Sequence, residues 1–419
     1  MDVGTRLAPF LERLIGKHPP LHVEFWDGST WGDVDGSARL IVRSHDALKR
    51  ITRAPGELGF GRAYVAGDLD VEGDIYNALA LRDLRPDFAL TTREKLSMLR
   101  AAIALGALGF RRIAPPPEEA RLSGRLHSRA RDAAAIAHHY DVSNDFYRMV
   151  LGPTLTYSCA YFSSAEQALD DAQRDKNELI CRKLRLKQGE RVLDVGCGWG
   201  TFAIHAASRH GAHVVGVTLS EAQADLAAKR VVDAGVADLV EIRVQDERDV
   251  PDGPFDAIAS IGMFEHVGAA RLNEYFTHLF ELLRPQGRLL NHGISRPPGG
   301  KPELGPRSFI NAYVFPDGAL HEVGSVVSTM QNAGFEVRDV ESLREHYALT
   351  LRNWVSNLER NREAALTHVS EGRYRVWRLY MAASALNFEA GRTQIHQVLA
   401  VKSSGGVSGV PLRRSDIVL

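Results

Sequence analysis

The sequence lacks an excess of either charge: 51 lysines and arginines stand against 52 aspartates and glutamates in 419 residues. Such a balance gives no general basic field for a nucleic-acid backbone, so an anionic partner must be met by a local patch. Cysteine is scarce as well. Cys159, Cys181 and Cys197 fit neither a disulfide framework nor paired zinc ligands. His138 and His139 have no third ligand at suitable spacing, so no metal is expected. Long apolar runs are also missing: the longest, residues 101–110, is about half of what a bilayer-spanning helix requires. No charged-then-apolar leader opens the chain, which points to a cytoplasmic protein. Arg93, Lys95 and Arg100 before the run, with Arg111 and Arg112 after it, suit an anionic membrane surface. Burial of the run as a core or interdomain helix is the plainer alternative.

What is present is enough apolar mass for two domains, with 44% hydrophobic and 25% charged residues. Residues 1–95 mix strand-like runs at Leu21–Phe25 and Ala38–Val42 with a helical pattern at Asp46–Arg53 and many turn signals, which predicts a small α+β domain. It carries no nucleophile-base pairing. Residues 96–134 are arginine-rich and contain Pro115, Pro116 and Pro117, where a helix cannot continue, so they are expected to link the domains. Residues 135–402 form the second domain, and its pattern becomes regular from Asp171. A helix runs through Leu184, then come a strand at Arg191–Val195, a helix from Thr201, a strand at His213–Val217 and a helix from Glu221. Strands at Leu239–Val244 and Phe255–Ile261, a helix at Arg271–Leu283 and a strand at Gly287–Asn291 follow. This alternation predicts an α/β fold, a parallel sheet with helices on both faces that binds ligands at the carboxyl ends of its strands. Residues 403–419, rich in glycine and serine and carrying Arg413 and Arg414, are expected to be a mobile tail.

After the first strand of the second domain the chain reads Asp194, Val195, Gly196, Cys197, Gly198, Trp199, Gly200, and a helix begins at once. Gly196 and Gly198 let the backbone turn tightly and approach a ligand closely. A dinucleotide loop would place its third glycine three residues after the second, and a phosphate-binding P-loop needs a lysine followed by serine or threonine; neither is present. A glycine turn serving only helix-sheet packing is the bland alternative. The block from Val192 to Gly200 resembles the first motif of class I S-adenosylmethionine (SAM) methyltransferases, whose Rossmann-like sheet the strand order would then follow. In that motif Asp194 and the glycine backbone, with Cys197 and Gly200, would surround the methionine end of the cofactor. Many members place an acidic ribose ligand after the second strand. This chain offers Thr218 and Leu219 there, with Gln223 further on.

Three strings make the resemblance more specific: His139 to Tyr147, Tyr157 to Phe162, and Gly262-Met263-Phe264-Glu265-His266-Val267-Gly268. Together with the glycine loop they resemble the cyclopropane fatty acid synthases and mycolic acid cyclopropane synthases over about residues 135–400. The resemblance implies SAM-dependent attack by a cis alkene of a phospholipid acyl chain, a carbocation, and loss of a proton to a bound bicarbonate ion, giving a cyclopropane. It implies bicarbonate contacts from Cys159, Glu265, His292, Ile294 through its backbone N–H, and Tyr347. It implies cofactor contacts from Tyr157 and Ser158, and from the region of Asp246 and Glu247. Such a site must exclude water, and aromatic faces stabilise positive charge. Tyr140, Phe162, Phe264, Tyr313 and Phe315 are therefore expected as cavity walls, although each alone fits an ordinary core.

Two positions depart from the family pattern. Leu290-Asn291-His292-Gly293-Ile294 replaces the familiar Leu-Leu-His-Thr-Ile, and Ser384 stands where some members carry a cysteine. The same cation losing a different proton would give a methylene- or methyl-branched chain. A nucleic-acid methyltransferase would need a basic groove with stacking aromatics, and the balanced charge speaks against that; the Cys159, Glu265, His292 and Tyr347 set speaks against an inactive lipid-binding protein. A homodimer, association with the inner face of the membrane, and lipid presentation by the N-terminal domain complete the expectations.

Overall fold

A computed structural model describes residues 2–16, 19–80, 100, 103–106, 113–124, 128, 131, 143–299, 304–305 and 307–418. Tyr140, His138 and His139 lie outside the described residues, as do Arg93, Lys95, Arg111, Arg112 and most of the apolar run between them. No helix among the described residues is long and apolar enough to cross a membrane.

The chain divides into two compact units, of which the first comprises Met1–Arg121, Gly305–Val314 and Val369–Leu386. Its sheet has the order β2-β1-β3-β4, with β1 (Leu21–Phe25), β2 (Thr30–Gly32), β3 (Ala38–Val42) and β4 (Leu69–Gly73). Alternation along β1 buries Leu21, Val23 and Phe25 on one face. The expected helix appears as His45–Arg53, where the Ser44 hydroxyl accepts from the Asp46 N–H at 3.2 Å. The division after Arg121 falls within residues 96–134, the segment expected to link the domains. Residues up to 121 stay with this unit, because Arg62 Nε donates to Glu119 Oε2 at 2.7 Å and the Ala120 N–H donates to Ala312 O at 2.8 Å. Two distant segments join it too. A Cβ at Gly61 would lie 2.2 Å from the Phe309 ring, so glycine lets that ring pack on helix Glu57–Val65. Arg375 reaches Asp70 Oδ2 at 3.0 Å and the Tyr64 carbonyl at 3.1 Å. Ser384 is buried in this unit rather than in the one that carries the candidate site.

The second unit holds an eight-stranded sheet. Its strands are β5 (Arg191–Val195), β6 (His213–Thr218), β7 (Val240–Val244), β8 (Phe255–Ile261), β9 (Leu283–Arg296), β10 (His321–Glu322), β11 (Glu336–Ser342) and β12 (Gln394–Val401). Their order is β11-β12-β9-β8-β5-β6-β7, with β10 beside β9. Strands β5 to β9 pair in parallel as expected, whereas β12 lies antiparallel to both β9 and β11. The central strands read as apolar runs because both faces are covered: Val192, Leu193 and Val195 of β5 and Ala257, Ile258 and Ala259 of β8 are buried. Strand order reverses beside β5, and the crevice past the carboxyl ends of β5 and β8 is where this architecture binds ligands.

The C-terminal tail is packed, contrary to the mobile segment expected. Arg414 Nε donates to the buried Asp339 carboxylate at 2.6 Å, and Ile417 is buried in the cluster that contains Ile180 and Cys181. The glycines and serines at 403–409 form turns that return the chain to the sheet, and the short helix Ser415–Val418 ends it.

Candidate active site

The glycine loop has the conformation its sequence calls for. Gly196, Gly198 and Gly200 take φ of 75°, 53° and 74°, a region open mainly to glycine. The N–H groups of Gly196 and Cys197 both donate to Val217 O, at 3.0 and 2.9 Å, which draws the end of β5 against β6. Helix Thr201–His210 starts directly behind the loop. In front of it lies segment 154–158, tied down by Arg230, whose Nη1 donates to Trp199 O at 2.6 Å and Nη2 to Thr154 O at 2.9 Å. Tyr147 packs between Trp199 and Tyr157, at ring-centroid distances of 4.8 and 6.0 Å.

Loop and segment enclose an open cavity of about 930 Å³ including its mouth. Tyr157, Ser158, Asp194, Gly196, Cys197, Gly198, Thr218, Leu219, Gln223 and Glu247 all line it. Two expected residues do not. Gly200 caps the following helix, and the Asp246 carboxylate turns to Arg248, accepting from its Nε at 2.7 Å. Thr218 donates to Gln223 Oε1 at 2.9 Å, so these two shape one polar corner. Burial raises Asp194 to about 7 against the pull of Lys176, and burial with the neighbouring Asp246 raises Glu247 to about 7. Gln245, in the string around Asp246 and Glu247, also lines the cavity, as do Met263 and His266 of the Gly262–Gly268 string and Lys176, for which the sequence carried no cofactor signal. Lys176 was hidden because a lysine on a helix rich in charge reads as solvent-facing. Burial alone lowers His266 to about 4.

The second set of residues, Cys159, Glu265, His292, Ile294 and Tyr347, does not line this cavity. Glu265 sits on a 3₁₀ turn, Phe264–His266, just past β8, and its Oε1 accepts the Ile294 N–H at 2.7 Å. His292 and Ile294 do not follow the fifth strand as expected but lie within β9. Pairing with β12 continues to Ser295, whereas pairing with β8 ends at His292. His292 Nδ1 meets the Gln397 amide nitrogen at 3.3 Å across that register. Burial first, then Lys176 and Lys183, holds His292 well below its usual range, so the ring is neutral. Cys159 lies with its Sγ 3.7 Å from Leu343 O, at the start of helix Arg344–Arg360, while the Ala160 N–H donates to Thr350 Oγ1 at 3.0 Å. Tyr347 stands in the first turn of that helix, against Phe388 and Trp354. Burial pushes the Cys159 thiol far up, so it is un-ionised. Glu265 Oε2 and His292 Nε2 are buried and bond to no protein atom. A buried polar atom without a partner is costly, so each of these two atoms invites a polar partner that the protein does not supply.

The expected aromatic walls are distributed. Phe162 stacks on His346 at 6.5 Å, Phe264 tilts against His321 at 5.9 Å, and Phe315 meets His266 edge-on at 5.8 Å. Tyr313 belongs to the first unit, where it stacks on Phe309. The Gly293 departure has a steric reason. A Cβ there would lie 1.9 Å from Phe264 Cε1, so the ring fills the volume that a side chain at 293 would need. Gly293→Ala is expected to cost about 1–3 kcal/mol of stability through overpacking. Urea denaturation measures it, and the cost should shrink on a Phe264→Leu background.

Away from the cavity, Cys181, His205 and His210 each place a ligand atom within 4.8 Å of the others. Glu178 Oε2 meets His205 Nε2 and His210 Nε2 at 3.1 Å each, so both rings already have a carboxylate partner.

Seven strands in this order with β12 antiparallel, and a glycine loop opening a cavity between β5 and β6, define a class I SAM-dependent methyltransferase. Residues 127–398 match the family model for mycolic acid cyclopropane synthetase, and the chain belongs to that family. A probable fatty acid methyltransferase of Mycobacterium tuberculosis is 44% identical over 409 residues, covering 95% of each chain. The cyclopropane-fatty-acyl-phospholipid synthase of Escherichia coli is 32% identical over 385 residues, covering 91% of this chain and 92% of the other. The crystal structure of mycolic acid cyclopropane synthase CmaA1, complexed with S-adenosylhomocysteine and CTAB, superposes with a TM-score of 0.60 at 35% identity, over 64% of this chain and 98% of that one. The chain is thus a SAM-dependent lipid methyltransferase of the cyclopropane synthase family.

Proposed function

We propose that the enzyme adds a one-carbon unit from SAM to a cis double bond of an unsaturated phospholipid acyl chain and closes it to a cyclopropane, with bicarbonate as the base. The observation that carries this reading is that two buried atoms, Glu265 Oε2 and His292 Nε2, have no protein partner, while the Ile294 N–H, expected as a further contact to the ion, is taken by Glu265 Oε1. One acceptor and one ring nitrogen suit a small oxyanion that holds one proton, and the Ile294 N–H fixes the Glu265 carboxylate that accepts it. Bound there, bicarbonate would supply a weak base, sufficient because a proton on a methyl beside a cation is strongly acidic. Glu265 would accept the ion's own proton, and His292 and Tyr347 would donate to its oxygens. Cys159, un-ionised and buried, would lend a weak S–H donor without adding negative charge. Phe162, Phe264 and Phe315 would keep water from the cation and face it with their rings. The substrate would be met at a membrane surface, and a homodimer is the working assembly.

A second reading keeps the same transfer but loses a different proton, giving a methylene-branched chain. The 44% identity to a relative named as a fatty acid methyltransferase favours keeping it. Incubation of the purified enzyme with SAM and vesicles of unsaturated phospholipid, followed by mass spectrometry and proton NMR of the acyl chains, separates the outcomes. Cyclopropane methylene protons upfield of the alkyl envelope are expected. Exomethylene signals would establish the second reading, and acyl chains with no added carbon would reject both.

A further inference from the structure

The cofactor cavity contains two buried charges of opposite sign that do not pair with each other. Asp194, next to last in β5, has 2% of its surface exposed, and Lys176, on helix Leu169–Lys183, has 1%. Among the described residues no carboxylate comes within ion-pair reach of the Lys176 ammonium, whose hydrogen-bond partner is Ser158 Oγ at 3.2 Å. Asp194 Oδ2 likewise bonds to no protein atom. An ammonium carries three donors, and burying it with one neutral partner is costly unless something else completes the site. The placement is built. Gln173, one turn earlier on the same helix, donates from Nε2 to Ser158 O at 2.8 Å, so the Gln173-Lys176 face fastens segment 156–158 and aims the ammonium into the cavity.

The methionine end of SAM is a zwitterion, an ammonium and a carboxylate on one carbon. We infer that Lys176 binds the carboxylate of the cofactor's amino-acid end, with Asp194 facing its ammonium. Ser158 then serves twice: its oxygen accepts from Lys176, which leaves its own O–H to donate to the same carboxylate. Burial lowers Lys176 to about 8 while Cys159 and Asp194 pull it upward, so an arriving carboxylate would restore full protonation. The inference rests on reading the cavity as the cofactor site. A carboxylate-like oxyanion on the Cys159 and His292 side is the other source of the same chemistry, since the Lys176 charge is felt at both residues.

Isothermal titration of wild type and Lys176→Met separates these sources with three ligands: S-adenosylhomocysteine, its decarboxylated analogue, and methylthioadenosine, which lacks the amino-acid end. The variant should weaken S-adenosylhomocysteine by about 10- to 100-fold, as loss of a charge-assisted hydrogen bond implies, and leave the other two within about threefold. Unchanged affinity for S-adenosylhomocysteine overturns the inference, and so does equal weakening of all three, which marks a structural role. Intact S-adenosylhomocysteine binding with a raised bicarbonate requirement for turnover assigns Lys176 to the other anion. Should Lys176→Met not fold, wild type still decides, because equal affinity for S-adenosylhomocysteine and its decarboxylated analogue excludes the contact. Failure of wild type to bind any of the three would instead remove the cofactor reading of the cavity.

Discussion

Glu265→Gln lowers kcat by about three orders of magnitude and leaves the affinity for S-adenosylhomocysteine within about threefold of wild type. The substitution is nearly isosteric, and the amide oxygen can still accept the Ile294 N–H where Oε1 now stands at 2.7 Å. What changes is the other end. Oε2, a buried acceptor without a protein partner, becomes an NH₂ donor. A donor there opposes the proton of a bound bicarbonate ion and turns its basic oxygens away from the reacting carbon. The loss therefore falls on turnover rather than on cofactor binding, since Glu265 does not line the cofactor cavity. Single-turnover rates with unsaturated phospholipid vesicles, beside titration of S-adenosylhomocysteine, measure both quantities. Full turnover by the variant would sink the assignment of this base site.

The same residue sets a pH dependence with a definite sign. Burial raises Glu265 to about 7. Its ionised form is the acceptor, so kcat should climb as pH rises through about 7 and flatten above it, and this limb should vanish in Glu265→Gln. Asp194 and Glu247 are also raised to about 7, but they line the cofactor cavity. Their titration belongs in the KM for SAM, not in kcat. His292 adds no limb in this range because burial keeps its ring neutral.

Local signals in the sequence were enough for elements whose pattern is short-range. Strands Arg191–Val195 and Phe255–Ile261 fall where apolar runs bounded by turn residues put them, and the glycines of the loop take the positive φ that their spacing implies. What stayed hidden depends on partners far along the chain. Strand β9 reads as ending near Asn291, yet it continues to Arg296 because β12, about a hundred residues later, pairs with it. The first unit recruits Gly305–Val314 and Val369–Leu386 through contacts such as Arg375 with Asp70, which no local periodicity reports. Lys176 looked solvated for the same reason: only the fold of 156–158 over its helix buries it. Gln397 did leave a trace. It is a fully buried polar residue at the head of the apolar run Val398–Val401 of β12, and a polar group buried in a strand is there to bond something.

That trace leads to the second large effect. His292→Leu should lower kcat by about 10²–10³-fold, and Gln397→Leu by about tenfold, although Gln397 touches no reacting group. A neutral imidazole donates from one nitrogen only. With the Gln397 amide nitrogen 3.3 Å from Nδ1, that nitrogen is the acceptor and the proton resides on Nε2, the buried atom that has no protein partner. Gln397 therefore chooses the tautomer in which His292 can donate to a bound oxyanion. Removing the amide frees the ring to take the other tautomer and to rotate, so part of the population presents a lone pair where a donor is needed. Because Gln397 acts only through His292, the double variant should be no slower than His292→Leu alone, and the two effects should not add. Nitrogen-15 shifts of labelled histidine at pH 8 give an independent readout: a proton on Nε2 in wild type, and a mixture of tautomers in Gln397→Leu. A proton found on Nδ1 in wild type would mean that the amide carbonyl faces the ring, and His292 would then accept from the ion's proton in place of Glu265.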